Sequence, residues 1–555
     1  MTDQLIIALA QINPTVGDLD GNAKLIRNAR RQAAQYAADI VVFSELVICG
    51  YPPEDLVLRP NFQRQVRTIV ESLASDTADG GPALLVGAPW IDGDALYNAA
   101  LLLDKGEIAA VRFKHCLPNY GVFDEKRVFS TGPLPGPINF RDVRLGVMVC
   151  EDIWTSEVTE CLQESGAELL VVLNGSPFDI LKREVRLQQS VSRVTESNLP
   201  LIYVNQVGGQ DDLVFDGASF VLNTNCSIAV QQPGWEEHLV ATRWSRMDDG
   251  WTCEASDRFR LSEGLEGIYR AMVIGLADYV RKNKFPGVIL GLSGGIDSAL
   301  TAAVAVDALG KDNVHCVMMP SPYTTMESLA DASETAELLG VQLDTIDIEP
   351  AMNAYSGMLE SLAGGKPIDR GTMAENIQSR SRAIILMSMS NALGSMVLTT
   401  GNKSEISVGY ATLYGDMCGG FSVLKDVYKT DVFRLARWRN QMTSNVLNGP
   451  PGSIIPERVI TKAPSAELRA EQTDQDTLPP YEILDDILSC LVEGAMGLNE
   501  ITERGHSPEL IRRVWQMLDT AEYKRRQSPP GVKVTSCAFG RDRRYPITNS
   551  FREII

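Results

Sequence analysis

The sequence predicts an α/β protein made of two successive units, a layered sandwich with mixed strands followed by a parallel sheet covered by helices. Three observations predict it. The chain has 555 residues, too many for a single core. Strand-length apolar runs alternate with helical stretches along both halves. Hairpin signals interrupt the first half, whereas the second alternates strand and helix as parallel strands with crossover helices do.

Taken in order, LIIALAQI and DIVVFSE are strand-length runs separated by the helical stretch GNAKLIRNARRQAAQYAA. ALLVGAP follows, and NAALLLDKGEIAAVRFK reads as a hairpin turning at Asp104-Lys105-Gly106. VRLGVMVCED, ELLVVLN and LPLIYVNQ read as buried strands, and FVLNTNCSIAVQ as a last hairpin. The pattern fades between Thr242 and Phe259, so residues 246–262 are expected to be a linker between a unit of residues 1–245 and one of residues 263–555. In the second, GVILGLS, NVHCVMMP, VQLDTIDI and SMVLTTGN are strands. Helices are expected from Asp297, from Glu327 and through Ile377–Asn391. The ending GRDRRYPITNSF is rich in Arg and reads as loop.

The composition narrows the function. No apolar run approaches the roughly 20 residues that span a bilayer, and the start reads as a strand and not a signal peptide. A cytoplasmic protein without a membrane partner is expected. The net charge of −20 argues against a basic nucleic-acid surface. Ten cysteines without a C-x-x-C pair argue against a zinc knuckle or disulfide scaffold. The four histidines, His115, His238, His315 and His506, stand singly, so acid–base work falls to Glu, Asp or Lys.

GVILGLSGGIDSALTAAVAV runs strand, glycine-rich turn, helix. Small residues at Ser293, Gly294 and Gly295 let backbone N–H groups approach an anion, and the helix start adds its positive end. No Lys follows the glycines, so this is not a Walker loop, and G-x-G-x-x-G is absent. Such a loop suits the pyrophosphate end of ATP and attack at the α-phosphate. A glycine-rich turn that binds nothing is the plain alternative. Further on, Glu405 lies in TTGNKSEISVGYATLYGDMCGG, beyond the strand SMVLTTGN. Asp297 and Glu405, both at the carboxyl edge of the sheet, are candidates to hold Mg²⁺ with phosphate and water. Thr372 and Glu375 have capping-box spacing, which places a helix start just before Asn376.

S-G-G-x-D-S resembles the PP-loop ATP pyrophosphatases, and GNKSE…GYATLYGD with ENIQSRSR and YKT is similar to the NAD synthetases, from about Glu263 onward. The resemblance implies a Rossmann-like parallel α/β domain with ATP at Gly291, Leu292, Ser293, Gly294, Gly295, Ile296, Asp297, Ser298 and Thr400. It implies nicotinic acid adenine dinucleotide at Asn376, Glu405, Asp416, Lys429 and Lys524. The spacing of the loop leaves Thr400 and Asn402 as alternatives for the ATP contact.

In the first half, Cys150 ends an apolar strand ahead of a helical stretch, where an exposed nucleophile meets free amides. A cysteine more commonly serves as a small buried hydrophobe, and position alone singles this one out. Glu45 and Lys114 also end strands. The trio suits amide chemistry: Glu45 as base, Cys150 as nucleophile, Lys114 on the oxyanion. FSELVICGYPPEDL, FKHCLPNYGVFDEKRVF, GVMVCEDIW and NGSPF resemble the nitrilase (carbon–nitrogen hydrolase) superfamily over residues 1 to about 240. That resemblance implies an α-β-β-α sandwich, the catalytic set Glu45, Lys114 and Cys150, an auxiliary Glu125, and a glutamine site at Tyr120, Ser176 and Lys182.

Together the halves resemble the glutamine-dependent NAD⁺ synthetases. This implies ATP-dependent amidation of nicotinic acid adenine dinucleotide with ammonia from glutamine, Mg²⁺, and a homo-oligomer formed through the second domain. Three alternatives remain at this point: another glutamine-dependent PP-loop ligase, making GMP or asparagine, an amidase whose second half only binds nucleotide as a regulator, and a catalytically inactive scaffold or interaction protein.

Overall fold

The computed structural model describes residues 3–248, 250–359, 371–443, 447–469 and 471–550. They form two compact units, residues 1–262 and 263–555.

The first unit is a four-layer α-β-β-α sandwich. One sheet runs in the order Gly250–Cys253, His238–Met247, Gln4–Gln11, Ile40–Val42, Ala83–Asp92, Ala95–Asp104, Glu107–Phe113. The other runs Ile228–Gln231, Phe220–Leu222, Leu201–Asn205, Leu169–Asn174, Val143–Val149, Ile138–Phe140. Both are parallel at the centre and antiparallel at the flanks. Strand alternation explains the layering. Leu5, Ile7 and Leu9 point inward against Leu145, Val147 and Val149. Ala8 and Val41 point outward to Ile26, Ala33, Val66 and Val70 of the helices Leu19–Gln35 and Pro60–Asp76. On the far side Met148, Leu170 and Val172 pack on Val158, Leu162 and Val194. Each fully buried Leu, Ile or Val contributes about 1.5–3 kcal/mol. Sheets buried on both faces thus account for continuous apolar runs where alternation would mark a half-exposed strand.

The expected turn at Lys105-Gly106 is present, with both residues at positive φ, as a two-residue hairpin loop requires. The expected linker over residues 246–262 is a correction. His238–Met247 pairs with Gly250–Cys253 as a hairpin on the edge of the first sheet, and it carries Trp244 and Trp251 into the inter-sheet core. Around Trp244 the outward residues Arg243 and Ser245 are polar, and Arg246 stacks over Trp251, so no apolar run marks this end of the hairpin. FVLNTNCSIAVQ is a hairpin but not the last one.

The second unit has a wholly parallel sheet, in the order Gln342–Thr345, Val314–Met318, Val288–Gly291, Met396–Thr399, Phe421–Ser422. The chain winds outward from Val288–Gly291 first one way and then the other. The order therefore reverses between Val288–Gly291 and Met396–Thr399, where a crevice opens at the carboxyl ends of the strands. The helix Ile296–Leu309 is buried almost all round. Helices Tyr481–Val492 and Pro508–Thr520 form a second core against Ile406 and Val408. Thr372 and Glu375 lie inside the helix Gly371–Leu393 and do not start it, a second correction. In the Arg-rich ending, Arg543 is buried on Glu522 at 3.1 Å, so that part of the tail is not a solvated loop.

Candidate active sites

In the first unit, Glu45, Lys114 and Cys150 come together at strand ends. Lys114 Nζ, fully buried, donates to Glu45 Oε1 at 2.8 Å and to both Glu125 oxygens at 2.9 and 2.8 Å. Glu45 also accepts from Asn98 Nδ2 at 2.7 Å and from the Gly175 amide at 3.0 Å. Tyr51 donates its hydroxyl to Glu125 at 2.9 Å. Burial alone would strip the Lys114 proton, but Glu125 and then Glu45 outweigh it, so the ammonium is held well past its ordinary range. Two carboxylates on one buried cation give a charged cluster without solvent to screen it.

Cys150 follows the strand Val143–Val149 and opens a single 3₁₀ turn, Cys150–Ile153, in place of the expected helix start. Its φ of 46° is left-handed, a strained setting for a side-chain-bearing residue. Burial and then the charge of Glu45 push its thiol well above the ordinary value, while Lys114 pulls the other way. The thiol therefore rests protonated beside Glu45. A base that removes the proton as the sulfur attacks, and a cation that meets the resulting oxyanion, form the arrangement that opens amides.

Around this centre, the hydroxyl of exposed Tyr120 donates to Glu151 at 2.9 Å. Lys182 Nζ lies 4.4 Å from the Trp154 ring centroid. Ser176 is buried, and its Oγ accepts from Arg186 Nε at 3.0 Å. Arg186 in turn pairs with Asp216 at 2.7 Å. Asn98, Tyr51, Glu151, Asp152 and Arg186 join the site although no pattern in the sequence singles them out. Of these, Tyr51 sits inside the quoted motif FSELVICGYPPEDL, and Glu151 and Asp152 inside GVMVCEDIW, the signals that would have reached them.

In the second unit, residues 291–298 line a cavity of 280 Å³ at the sheet's reversal point, together with Thr400, Glu405, Asp416 and Lys429. Gly294 has φ 80°, and a Cβ there would lie 2.2 Å from the Ser328 carbonyl oxygen. Ser298 Oγ accepts from the Ser293 amide at 3.2 Å and donates to the Gly295 carbonyl at 2.9 Å, which fixes the loop's curl. Lys429 Nζ spans two carboxylates, Asp297 at 2.5 Å and Glu405 at 3.0 Å. Burial raises Glu405 to about 7, with Lys429 opposing. Of the two alternatives, Thr400 faces the cavity. Asn402 caps the helix Lys403–Val408 through the Glu405 amide at 3.0 Å and donates to Asp297 at 2.8 Å. Asn376 accepts from Thr412 at 3.0 Å, and Lys524 donates to the carbonyls of Gly409 and Ala411 at 2.7 and 2.6 Å; neither lines the cavity. Arg382 does line it, and burial lowers its guanidinium to about 10. It is the last residue of the motif ENIQSRSR, which gave it no role of its own.

Among the described residues, no group of three or more His, Cys, Asp or Glu surrounds a common point. Asp297 and Glu405 do present carboxylate oxygens to one cation, the Lys429 ammonium. Hard oxygen donors of this kind fit Mg²⁺ when its other ligands are phosphate oxygens and water.

The carbon–nitrogen hydrolase family matches residues 6–246 and the NAD synthase family residues 268–528. Fold and sites thus define a ligase in which a carbon–nitrogen hydrolase unit precedes an NAD synthase unit. Over 553 residues the chain is 49% identical to the glutamine-dependent NAD(+) synthetase of Rhodobacter capsulatus, covering 100% of both. It is 41% identical over 582 residues to that of Thermotoga maritima, covering 99% of each. The chain belongs to the glutamine-dependent NAD(+) synthetase family. A solved glutamine-dependent NAD+ synthetase from Acinetobacter baumannii, in complex with adenosine diphosphate, is 41% identical, covers 100% of each chain and has a TM-score of 0.78. One from Cytophaga hutchinsonii, 21% identical, shares the fold with a TM-score of 0.83 over 99% of this chain and 98% of that one. Neither a GMP- or asparagine-forming ligase nor an amidase with a regulatory half is the family matched.

Proposed function

We propose that the first unit releases ammonia from glutamine and that the second uses it, with ATP, to amidate nicotinic acid adenine dinucleotide to NAD⁺. The observation that carries this reading is the buried Glu45–Lys114–Glu125 cluster beside Cys150, on the same chain as a phosphate loop.

Glu45 takes the Cys150 proton as Sγ attacks the glutamine side-chain carbonyl, and Lys114 meets the oxyanion. Ammonia leaves with the proton returned by Glu45, and water, deprotonated by Glu45, hydrolyses the thioester to glutamate. Tyr120, Ser176 and Lys182 are proposed to hold the substrate's amino-acid end, with Glu151 and Arg186 as their polar partners.

In the second unit, the amides of the loop from Ser293 to Ser298 and the start of the helix Ile296–Leu309 hold phosphates. Thr400 and Arg382 add contacts from the cavity wall. The nicotinate carboxylate attacks the α-phosphorus and pyrophosphate leaves; ammonia then attacks the acyl carbon and AMP leaves. Asp297 and Glu405 would hold Mg²⁺, which supplies charge neutralisation on the phosphates. Lys429 keeps these two carboxylates converged. Asp416 and, beyond the cavity wall, Asn376 and Lys524 support the dinucleotide side.

The exposed apolar residues Met373, Ile384, Met387 and Leu393 on the helix Gly371–Leu393 support pairing with a second copy through the second unit. Ten unpaired cysteines support a reducing, cytoplasmic setting.

The test is NAD⁺ formation from ATP, Mg²⁺, nicotinic acid adenine dinucleotide and either glutamine or an ammonium salt. Product is expected with both donors. Cys150→Ala should abolish glutamine use and spare ammonia use, and Asp297→Ala should stop both. A Cys150→Ala enzyme that uses glutamine normally would refute the nucleophile assignment.

A further inference from the structure

Asp152 stands two residues beyond Cys150 and is 1% exposed. Its carboxylate accepts three backbone N–H groups from two separate segments. Oδ2 takes Val149 at 3.0 Å, and Oδ1 takes His115 at 3.0 Å and Cys116 at 2.8 Å. Val149 immediately precedes Cys150, and His115 immediately follows Lys114. The two segments leave different sheets of the sandwich, Val143–Val149 from one and Glu107–Phe113 from the other. No ladder of either sheet links them; the Asp152 side chain joins the two backbones directly.

We propose that Asp152 is a positioning residue for the thiol chemistry, clamping the backbone beside Cys150 to the backbone beside Lys114 and so fixing the sulfur against the ammonium that meets its oxyanion. The inference rests on Cys150 being the nucleophile that opens glutamine. Two further observations support it. Cys150 sits at a left-handed φ, so the bond to the Val149 amide restrains an elbow that would otherwise relax. Burial raises the Asp152 carboxyl to about 6, against the pull of the Cys116 and Val149 amides. Three converging N–H groups beside the two reactive residues call for a side chain that only accepts, as a carboxylate does.

The experiment compares Asp152→Asn and Asp152→Ala with the wild-type full-length protein, reading glutamate release and NAD⁺ formation with each nitrogen donor. Asn keeps an oxygen for His115 and Cys116 but turns an NH₂ group on the Val149 N–H; Ala removes all three bonds. The expected result is a fall in kcat with glutamine of about tenfold for Asn and about a hundredfold for Ala, the scale of a misplaced reacting group. KM for glutamine should stay within about threefold, since Tyr120, Ser176 and Lys182 are untouched. Ammonia-dependent synthesis should be unchanged in both, which shows an intact fold. An Asn variant with wild-type kcat on glutamine overturns the proposal. So does an equal loss with both donors, since that is a defect of folding. A wild-type protein that releases no glutamate from glutamine would overturn the reading of Cys150 itself, and the positioning role with it.

Discussion

Lys114 is an ammonium surrounded by protein, and its partners are what keep it charged. Removing it leaves Glu45 and Glu125 facing each other unscreened, and breaking a buried pair in this way costs about 3–5 kcal/mol. Lys114→Met is thus expected to cut glutamine-dependent turnover by at least about 100-fold and to lower the denaturant midpoint, while ammonia-dependent synthesis survives in whatever fraction remains folded. Asp152 gives a prediction of opposite sign. Its folded carboxyl, raised to about 6, keeps its proton where the unfolded one has lost it, so its contribution is full below about pH 4 and is lost as pH rises through about 6. In Asp152→Asn that descending slope of stability between pH 4 and 6 should vanish, as measured by unfolding at a series of pH values. A slope identical to the wild type's would refute the assignment. The reactive residues were legible in the sequence because each ends an apolar run. Asn98 was not, since an amide near the start of NAALLLD carries no pattern; its meaning lies in the pairing that sets it beside Glu45.

At the scale of elements, the phosphate loop owes its shape to a close approach. Gly294→Ala would drive a Cβ into the Ser328 carbonyl at a left-handed φ, so the loop must open. The variant should lose ATP binding by calorimetry, about tenfold or more in Kd, while glutamate release continues. The helix Tyr481–Val492 also acts on the second site from behind it. Asp485 accepts the Ser404 hydroxyl at 2.5 Å and the Thr430 amide at 2.9 Å, and Ser404 accepts the Lys429 amide at 2.8 Å. This clasp ties the start of the helix Lys429–Asn440 to the helix that carries Glu405. Asp485→Ala leaves these groups without a partner at about 1–3 kcal/mol, and synthesis should fall with either donor but glutaminase activity should not. The elements themselves were mostly legible, because buried parallel strands are long apolar runs. Two were not. Phe421–Ser422 is too short to carry a period, and in the edge hairpin Trp244 and Trp251 stand among polar neighbours, Arg243, Ser245 and Thr252.

For the molecule as a whole, two units each with a core of its own lead to a separable assembly. Residues 263–555 expressed alone are expected to fold and to make NAD⁺ from ammonia but not from glutamine, and sedimentation should show them as dimers or larger. Ile384→Glu, on the exposed face of the helix Gly371–Leu393, should shift that distribution toward monomer. The contiguity of the first unit has a further effect, on the newborn protein. Domains fold as they emerge, N-terminal first, at about 5–20 residues per second. The thiol centre at Cys150 is complete once residue 262 has left the ribosome, whereas the strand Met396–Thr399, which closes the other side of the crevice at Gly291, does not exist until residue 399 follows. On the proposed reading, each nascent chain therefore carries a finished glutamine-opening centre for several seconds or more before it owns anything that can use the ammonia.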